Sequence, residues 1–335
     1  MPPVPRLPLS ERRRAAARRR RRGQMRLAGL IVLIVLIVLV IAATAGGHSH
    51  HTAAKTAART SQSRTSSHRT TPAAKGETDP LTTPAMTSLL AGRQGAVSVA
   101  VDDLKTGQEW ILKPGEREQT ASIVKADILE TLLYQAQANH QSLDDVEDSF
   151  GETAEGMIEA SDNDDATDLW NQIGAAAGLD AYDARIGMTE TQGGSGGFWG
   201  ETLTTAADQI KLLRQLALPH GALDRDSVDY QLSLMKQIDP GENWGVSGGV
   251  PATGVSVAMK NGWVPLTSNT DWEVNSIGWI DGDDHDYLIA VLTAHDGSEQ
   301  YGIDTIHAMS KLIYDTIGPA PPAGTATINP NSDDE

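Results

Sequence analysis

The 335-residue chain contains no cysteine, which excludes disulfides, thiol catalysis and a lipidated N-terminal cysteine. An exported domain made from it must be held by its core alone. Basic residues are scarce from Leu81 onward, where 12 Lys and Arg face 41 Asp and Glu. A domain that acidic repels phosphate backbones, so no nucleic-acid partner is expected. Residues 46–85 lack large apolar side chains almost entirely before Leu81 and are rich in Ser, Thr, Ala, His, Arg and Lys. Such a stretch cannot bury enough surface to offset chain entropy and reads as a disordered linker. Residues 319–335 read as a disordered tail. His48, His50 and His51 could bind a metal, but within a linker they read as solvated.

Charge of the opposite sign is concentrated at the start. Residues 1–26 carry ten Arg against Glu11 and read as a basic cytoplasmic segment. Residues 27–45 follow as nineteen residues without a charge, LAGLIVLIVLIVLVIAATA. At about 1.5 Å per residue they nearly span a hydrocarbon core of roughly 30 Å. The expectation is a transmembrane anchor with a cytoplasmic N-terminus, giving a single-pass protein of the cell membrane whose remaining chain lies outside. A cleaved signal peptide is the competing reading, since Ala42-Ala43-Thr44-Ala45 offers small residues. The apolar run exceeds the ~7–15 residues of a signal core, which favours the anchor. One domain over 86–318 is left to fold.

Within that domain Val97, Val99 and Val101 alternate with small residues, and Asp102–Gly107 supplies turn chemistry before Gln108–Leu112. This pattern predicts a β-hairpin. Ser256–Met259, Asn275–Ile280 and Tyr287–Thr293 also read as strands, the last two joined by a turn at Asp281–Asp284. A final helix is expected over about 302–316. Between the strand groups the patterns over Ser122–Gln137, Glu152–Asn171 and Thr205–Leu216 are helical. The expected class is α+β, an antiparallel sheet closed by N- and C-terminal segments with an all-helical lobe inserted.

Ser122-Ile123-Val124-Lys125 opens the first long helix, and the i, i+3 spacing puts both side chains on one face. A serine hydroxyl is a weak nucleophile until a base takes its proton, and a partly desolvated lysine can be neutral often enough to do so. The helix N-terminus adds N–H groups for an oxyanion. Roughly one Ser-x-x-Lys arises by chance in a chain of this length; Ser233–Lys236 is such a decoy, at a helix end with nothing catalytic after it. Ser161-Asp162-Asn163 is a rarer match, although alone it would read as a helix cap. Lys260-Asn261-Gly262-Trp263 follows the strand-like Val255–Met259, where an edge could offer a cation and open N–H groups. Lys105-Thr106-Gly107 precedes the nucleophile and sits in the hairpin turn, which rules it out.

The ordered set Ser-x-x-Lys, Ser-Asp-Asn and Lys-x-Gly resembles the class A β-lactamases and penicillin-binding proteins over residues 86–317. The resemblance implies a β-lactamase-like fold with a trimmed helical lobe, since Ser122 to Ser161 is a short interval. It implies that Ser122 forms an acyl-enzyme, with Lys125 as a base. Ser161 and Lys260 would relay a proton to the leaving nitrogen. Asn163, Asn261, Gly262 and Trp263 would bind substrate, the backbone N–H groups of Ser122 and Trp263 forming the oxyanion hole. The substrate would be a β-lactam or a peptidoglycan peptide, with no cofactor and no metal.

Three absences separate the chain from the class A pattern. No Glu-x-x-Leu-Asn segment is present; Thr189–Thr205 is glycine-rich instead, and its carboxylates Glu190 and Glu201 are the candidate deacylation bases. Asn261 stands where Thr or Ser is usual, and the last two strands lack an Arg for a substrate carboxylate. The protein is therefore expected to acylate and to deacylate slowly. The alternative is a catalytically silent penicillin-binding-like module that holds peptidoglycan or a partner at the cell surface. Asp162, Asp164, Asp165 and Asp168 lack EF-hand spacing and read as a solvated helix start. The tryptophans read as packing residues, with Trp199 and Trp263 the ones expected at the cleft.

Overall fold

The computed structural model describes residues 78–268 and 271–318. The basic segment 1–26, the apolar run 27–45, most of the linker and the tail 319–335 lie outside the described residues. The compact unit begins at Thr78, ahead of the expected boundary at 86. Leu81 and Met86 are buried, and helix α1 (Pro84–Ala91) starts on a Thr83 cap that accepts from the Met86 N–H. The end of the supposed linker thus belongs to the fold, because two apolar side chains there find a core.

Five antiparallel strands make the sheet, in the order β2-β1-β7-β6-β5. They are β1 (Ala96–Asp103), β2 (Gln108–Leu112), β5 (Val255–Ser268), β6 (Asp271–Gly282) and β7 (His285–Asp296). The hairpin β1–β2 forms as expected. Its turn is closed by the Gly107 N–H donating to Asp103 O at 2.7 Å, while Lys105 N and Thr106 Oγ1 donate to the Asp103 carboxylate. Between β6 and β7 the residues Asp283 and Asp284 both take positive φ, 48° and 65°. Two such residues match the right-handed twist of a tight hairpin.

Strand alternation gives the sheet two apolar faces. Val97, Val99, Val101, Ile289 and Val291 join a core under α1 and α8 (Glu299–Ile317). Ala100, Ala258, Ile277, Leu288 and Ala290 face the helical lobe. The lobe comprises α2 (Val124–Ala138), α3 (Leu143–Glu159), α4 (Asn163–Gln172), α5 (Ala175–Ile186), α6 (Ala206–Ala217) and α7 (Arg225–Met235). Helix α2 is buried on nearly every side, as a central lobe helix must be. The short strands β3 (Glu118–Gln119) and β4 (Leu203–Thr204) pair beside it.

Two expectations need correction. The helical pattern over Glu152–Asn171 is broken into α3 and α4, with Ser161 at φ 52° between them. The Asp162 carboxylate accepts from Asp164 N at 2.8 Å and Asp165 N at 3.0 Å, and this cap overrides the continuing apolar period. The Lys260–Trp263 segment, expected after a strand, lies inside β5, whose pairing with β6 runs from Val255 to Ser268.

Candidate active site

The nucleophile candidate does not sit in the long helix itself. Ser122 lies in a 3-10 turn, Ala121–Ile123, that leads into α2. Ala121 before it has φ 47°, a left-handed conformation that costs a non-glycine residue about 1 kcal/mol or more. Ser122 is half-buried while Lys125, one turn on, is completely buried.

Behind this turn runs β5, at one edge of the sheet. At Gly262 an added Cβ would meet Ser122 N at 2.5 Å, Ile123 N at 2.8 Å and Thr120 O at 2.8 Å. Only glycine lets the strand back directly onto the Ser122 turn. The turn is also tied to β6, since Asn275 Nδ2 donates to Gln119 O at 2.7 Å and Thr120 O at 3.2 Å.

The third part arrives on the α3–α4 break. The left-handed Ser161 turns its carbonyl and hydroxyl toward the lysines. Lys125 Nζ donates to Ser161 O at 2.7 Å, lies 3.2 Å from Ser161 Oγ and donates to Asn163 Oδ1 at 2.8 Å. Lys260 Nζ reaches the same Ser161 Oγ at 2.9 Å and its neighbour Asn261 O at 3.2 Å. One hydroxyl therefore stands between two buried lysines. Burial drives the Lys125 ammonium well below its usual range, and Lys260 pushes it the same way, against Glu242, Asp162 and Asp165. Burial brings Lys260 down to about 8, with Glu242 opposing.

Ser122, Lys125, Ser161, Asn163, Lys260 and Gly262 are thus brought together. Asn261 is not free for substrate. Its Nδ2 donates to Glu242 O at 2.5 Å and Trp244 O at 3.1 Å, and its Oδ1 accepts from Ser276 Oγ at 2.5 Å. Alternation along β5 turns it to the face opposite Lys260, where it pins the segment before the strand. The Trp263 ring goes the same way, packing edge-on to Trp244 at 5.8 Å. Only its backbone is available to the cleft.

The glycine-rich loop is held rather than loose. Gly193 N donates to Asp180 Oδ1 at 2.6 Å, Gly194 N to Thr202 Oγ1 at 3.0 Å, and Gln192 pairs with Leu203. Its 3-10 turn Trp199–Glu201 packs against the Ser122 turn. The face of Trp199 lies over Lys125, with Nζ 4.8 Å from the ring centroid. Glu190 and Glu201 are both exposed, and of the two only Glu201 is on the turn that packs against the Ser122 turn. The contact of Trp199 with Lys125 was beyond sequence reasoning, which had only a Trp within a glycine-rich stretch. Among the described residues no group of His, Asp and Glu is arranged to hold a metal.

Solved structures share this fold. The chain matches a class A beta-lactamase from Bacteroides cellulosilyticus at 20% identity, covering 69% of this chain and 94% of that one, with a TM-score of 0.60. It matches a class A beta-lactamase from Mycobacterium abscessus at 21% identity, 68% and 95% coverage, TM-score 0.58. A Mycobacterium tuberculosis protein named as a lipoprotein, LppW, is 29% identical over 210 residues, which is 60% of this chain. The chain spans 64% of the length of that relative. That relative is named as a lipoprotein, a protein held at the membrane by lipid, and this finding stands against the expected single-pass localisation. Among the described residues no helix is long and apolar enough to cross a membrane. The model of the beta-lactamase enzyme family matches residues 145–317, half of the chain and the half that carries Ser161, the pinned loop and the Lys260 strand. By that match the chain belongs to the beta-lactamase enzyme family.

Proposed function

We propose that this protein is a serine hydrolase that takes the acyl group of a β-lactam, or of a cell-wall-peptide-like amide, onto Ser122 and releases it slowly. The observation that carries the reading is the Ser161 hydroxyl standing 3.2 Å from Lys125 Nζ and 2.9 Å from Lys260 Nζ. A silent binding module has no physical need of two buried lysines around one hydroxyl beside a serine.

In the proposed acylation, neutral Lys125 takes the Ser122 proton as Oγ bonds to the carbonyl carbon. The backbone N–H groups of Ser122 and Trp263 stabilise the oxyanion, a role supported by the edge position of β5 and its approach to Ser122 at Gly262. When the C–N bond breaks, the leaving nitrogen takes the Ser161 proton and Ser161 recovers one from the Lys260 ammonium. The proton gained by Lys125 returns to Lys260 through Ser161 Oγ, which both lysines touch. Asn163, exposed and already accepting from Lys125, is the proposed contact for a substrate amide. These are the grounds for extending the kinship to penicillin-binding proteins.

Deacylation needs a base for water. Glu201 is the proposed candidate, being the carboxylate on the turn packed against the Ser122 turn, whereas Glu190 lies off that turn, its N–H held by Asp208. An exposed carboxylate is hydrated and is not held on one water as a buried one would be, which supports slow release. The lipoprotein name of the relatives supports work at a membrane surface, although this chain has no cysteine to carry a thioether-linked lipid. The test is intact mass after incubation with a fluorescent penicillin, for wild type and Ser122→Ala. A wild-type adduct that Ser122→Ala lacks supports the reading. No Ser122-dependent adduct with any β-lactam or active ester would favour the binding module.

A further inference from the structure

We propose that Trp199 is a positioning residue that keeps Lys125 dry and holds water off an ester at Ser122, so that the loop carrying it governs the lifetime of the acyl-enzyme. The inference rests on the acyl-enzyme reading above and adds a residue that no catalytic motif contains.

The ring is locked in place, not draped. Its face lies 4.8 Å from Lys125 Nζ. Its Nε1 donates to Thr167 Oγ1 at 3.1 Å, Thr167 Oγ1 donates to Asn163 O at 2.9 Å, and Asn163 Oδ1 accepts from Lys125 at 2.8 Å. The four residues close a circuit from the loop to the catalytic lysine. On the other side, a Cβ at Gly200 would come 3.7 Å from Ala121 Cα, so the loop lies against the residue next to Ser122. The indole therefore lies over the lysine on a turn that touches the nucleophile turn, where an attacking water would need room.

Trp199 acts on Lys125 in two opposed ways. The ring face favours the ammonium, and the bulk of the ring excludes water and so favours the amine. Other charges around Lys125 come from Lys260 of β5, Glu242 before β5, and Asp162 and Asp165 at the start of α4. Burial is the largest cause of the lowering of Lys125, and the ring is one of the groups that cover its Nζ, so exclusion of water is the effect of the ring on which the inference is built. Release of the acyl group requires water oxygen to bond to the acyl carbon. The Ser122 Oγ–carbon bond then breaks with its electron pair on Oγ, Oγ regains a proton from the water, and a carboxylic acid leaves. Water admitted by loss of the ring speeds this step.

Trp199→Ala is thus expected to move the two half-reactions in opposite directions. The pH at which acylation rises shifts up by about one unit, so acylation at a fixed pH on that limb falls about tenfold. Release of the acyl group accelerates about tenfold or more. Trp199→Phe keeps the ring without the Thr167 bond and falls between. Stopped-flow acylation by a chromogenic cephalosporin across pH, decay of the adduct by mass, and NMR titration of the Lys125 ammonium read the three quantities. A loop that only stabilised the fold would slow acylation without speeding release or moving the lysine. If Trp199→Ala and Trp199→Phe both form the Ser122 adduct with an unchanged pH limb, release rate and lysine titration, the inference fails and the acyl-enzyme reading stands. If Trp199→Ala does not fold, the Trp199→Phe comparison decides in the same terms. If wild type forms no Ser122 adduct, both fail together.

Discussion

A hydroxyl that accepts from two lysines keeps its own proton free to point into the cleft, and Ser161 is placed in that way. Replacing it with Ala removes the bridge while leaving both lysines buried. Ser161→Ala is expected to slow acylation by about 10²-fold or more, with Ser122 still present to be acylated by an active ester. The same pair predicts a bell-shaped pH profile for wild type. Acylation rises as Lys125 loses its proton, at a pH well below the usual lysine range, and falls as Lys260 is deprotonated near pH 8. Apparent values belong to the pair rather than to either residue. The grouping of Lys125, Ser161 and Lys260 beside the Ser122 turn was expected from the order of the motifs along the chain, which set aside Ser233 and Lys105. Asn261 was misread because a tripeptide motif does not say which face of a strand its middle residue takes. Trp199 was placed at the cleft, but its contact with Lys125 depends on a loop path set by Asp180 and Thr202.

Among the elements, the break between α3 and α4 does the most for the site. The Asp162 cap starts a new helix and leaves Ser161 left-handed, with its carbonyl and hydroxyl on the lysines. Asp162→Ala is expected to cost about 1 kcal/mol in stability and to lower acylation more than a surface substitution of equal cost, because Ser161 loses its fixed turn. Denaturant unfolding and the acylation rate of the same variant check both parts. The Ser-Asp-Asn segment could be read either as a cap or as a catalytic element; Asp162 caps α4, and the catalytic role proposed for Ser161 rests on the turn that this cap leaves behind. The strands were readable from alternation and turn chemistry. The length of β5 was not, since Lys260, Asn261 and Gly262 lack the β-branched character that marks a strand. Helix α1 was missed because Leu81 and Met86 count as core only once α8 and the sheet are there to cover them.

At the scale of the molecule the acidic charge reaches into the interior. Glu118 of β3 and Glu273 of β6 are both buried, and burial together with repulsion from Glu118 raises Glu273 to about 8. Asp127, Glu130 and Asp183 are buried together in the lobe and are raised for the same first reason, desolvation. A carboxyl held above its unfolded value binds more protons in the folded state, so stability falls as pH rises from the unfolded value toward the folded one. For Glu273 that window runs from 4.5 to about 8. Glu273→Gln keeps an acceptor for Gln119 N and is expected to raise Tm by about 2–4 °C at pH 8, with little change at pH 4.5. Thermal unfolding at the two pH values measures it, and equal effects at both would contradict it. The α+β layering followed from strands at both ends of the domain and helices between them, whereas burial of so many carboxylates was invisible to a charge count. The central claim, that Ser122 carries the acyl group, is tested most directly by the intact mass of the protein with a penicillin. Wild type should gain one acyl group that persists after excess drug is removed, and Ser122→Ala should gain none; an equal adduct on both, or on neither, would contradict it.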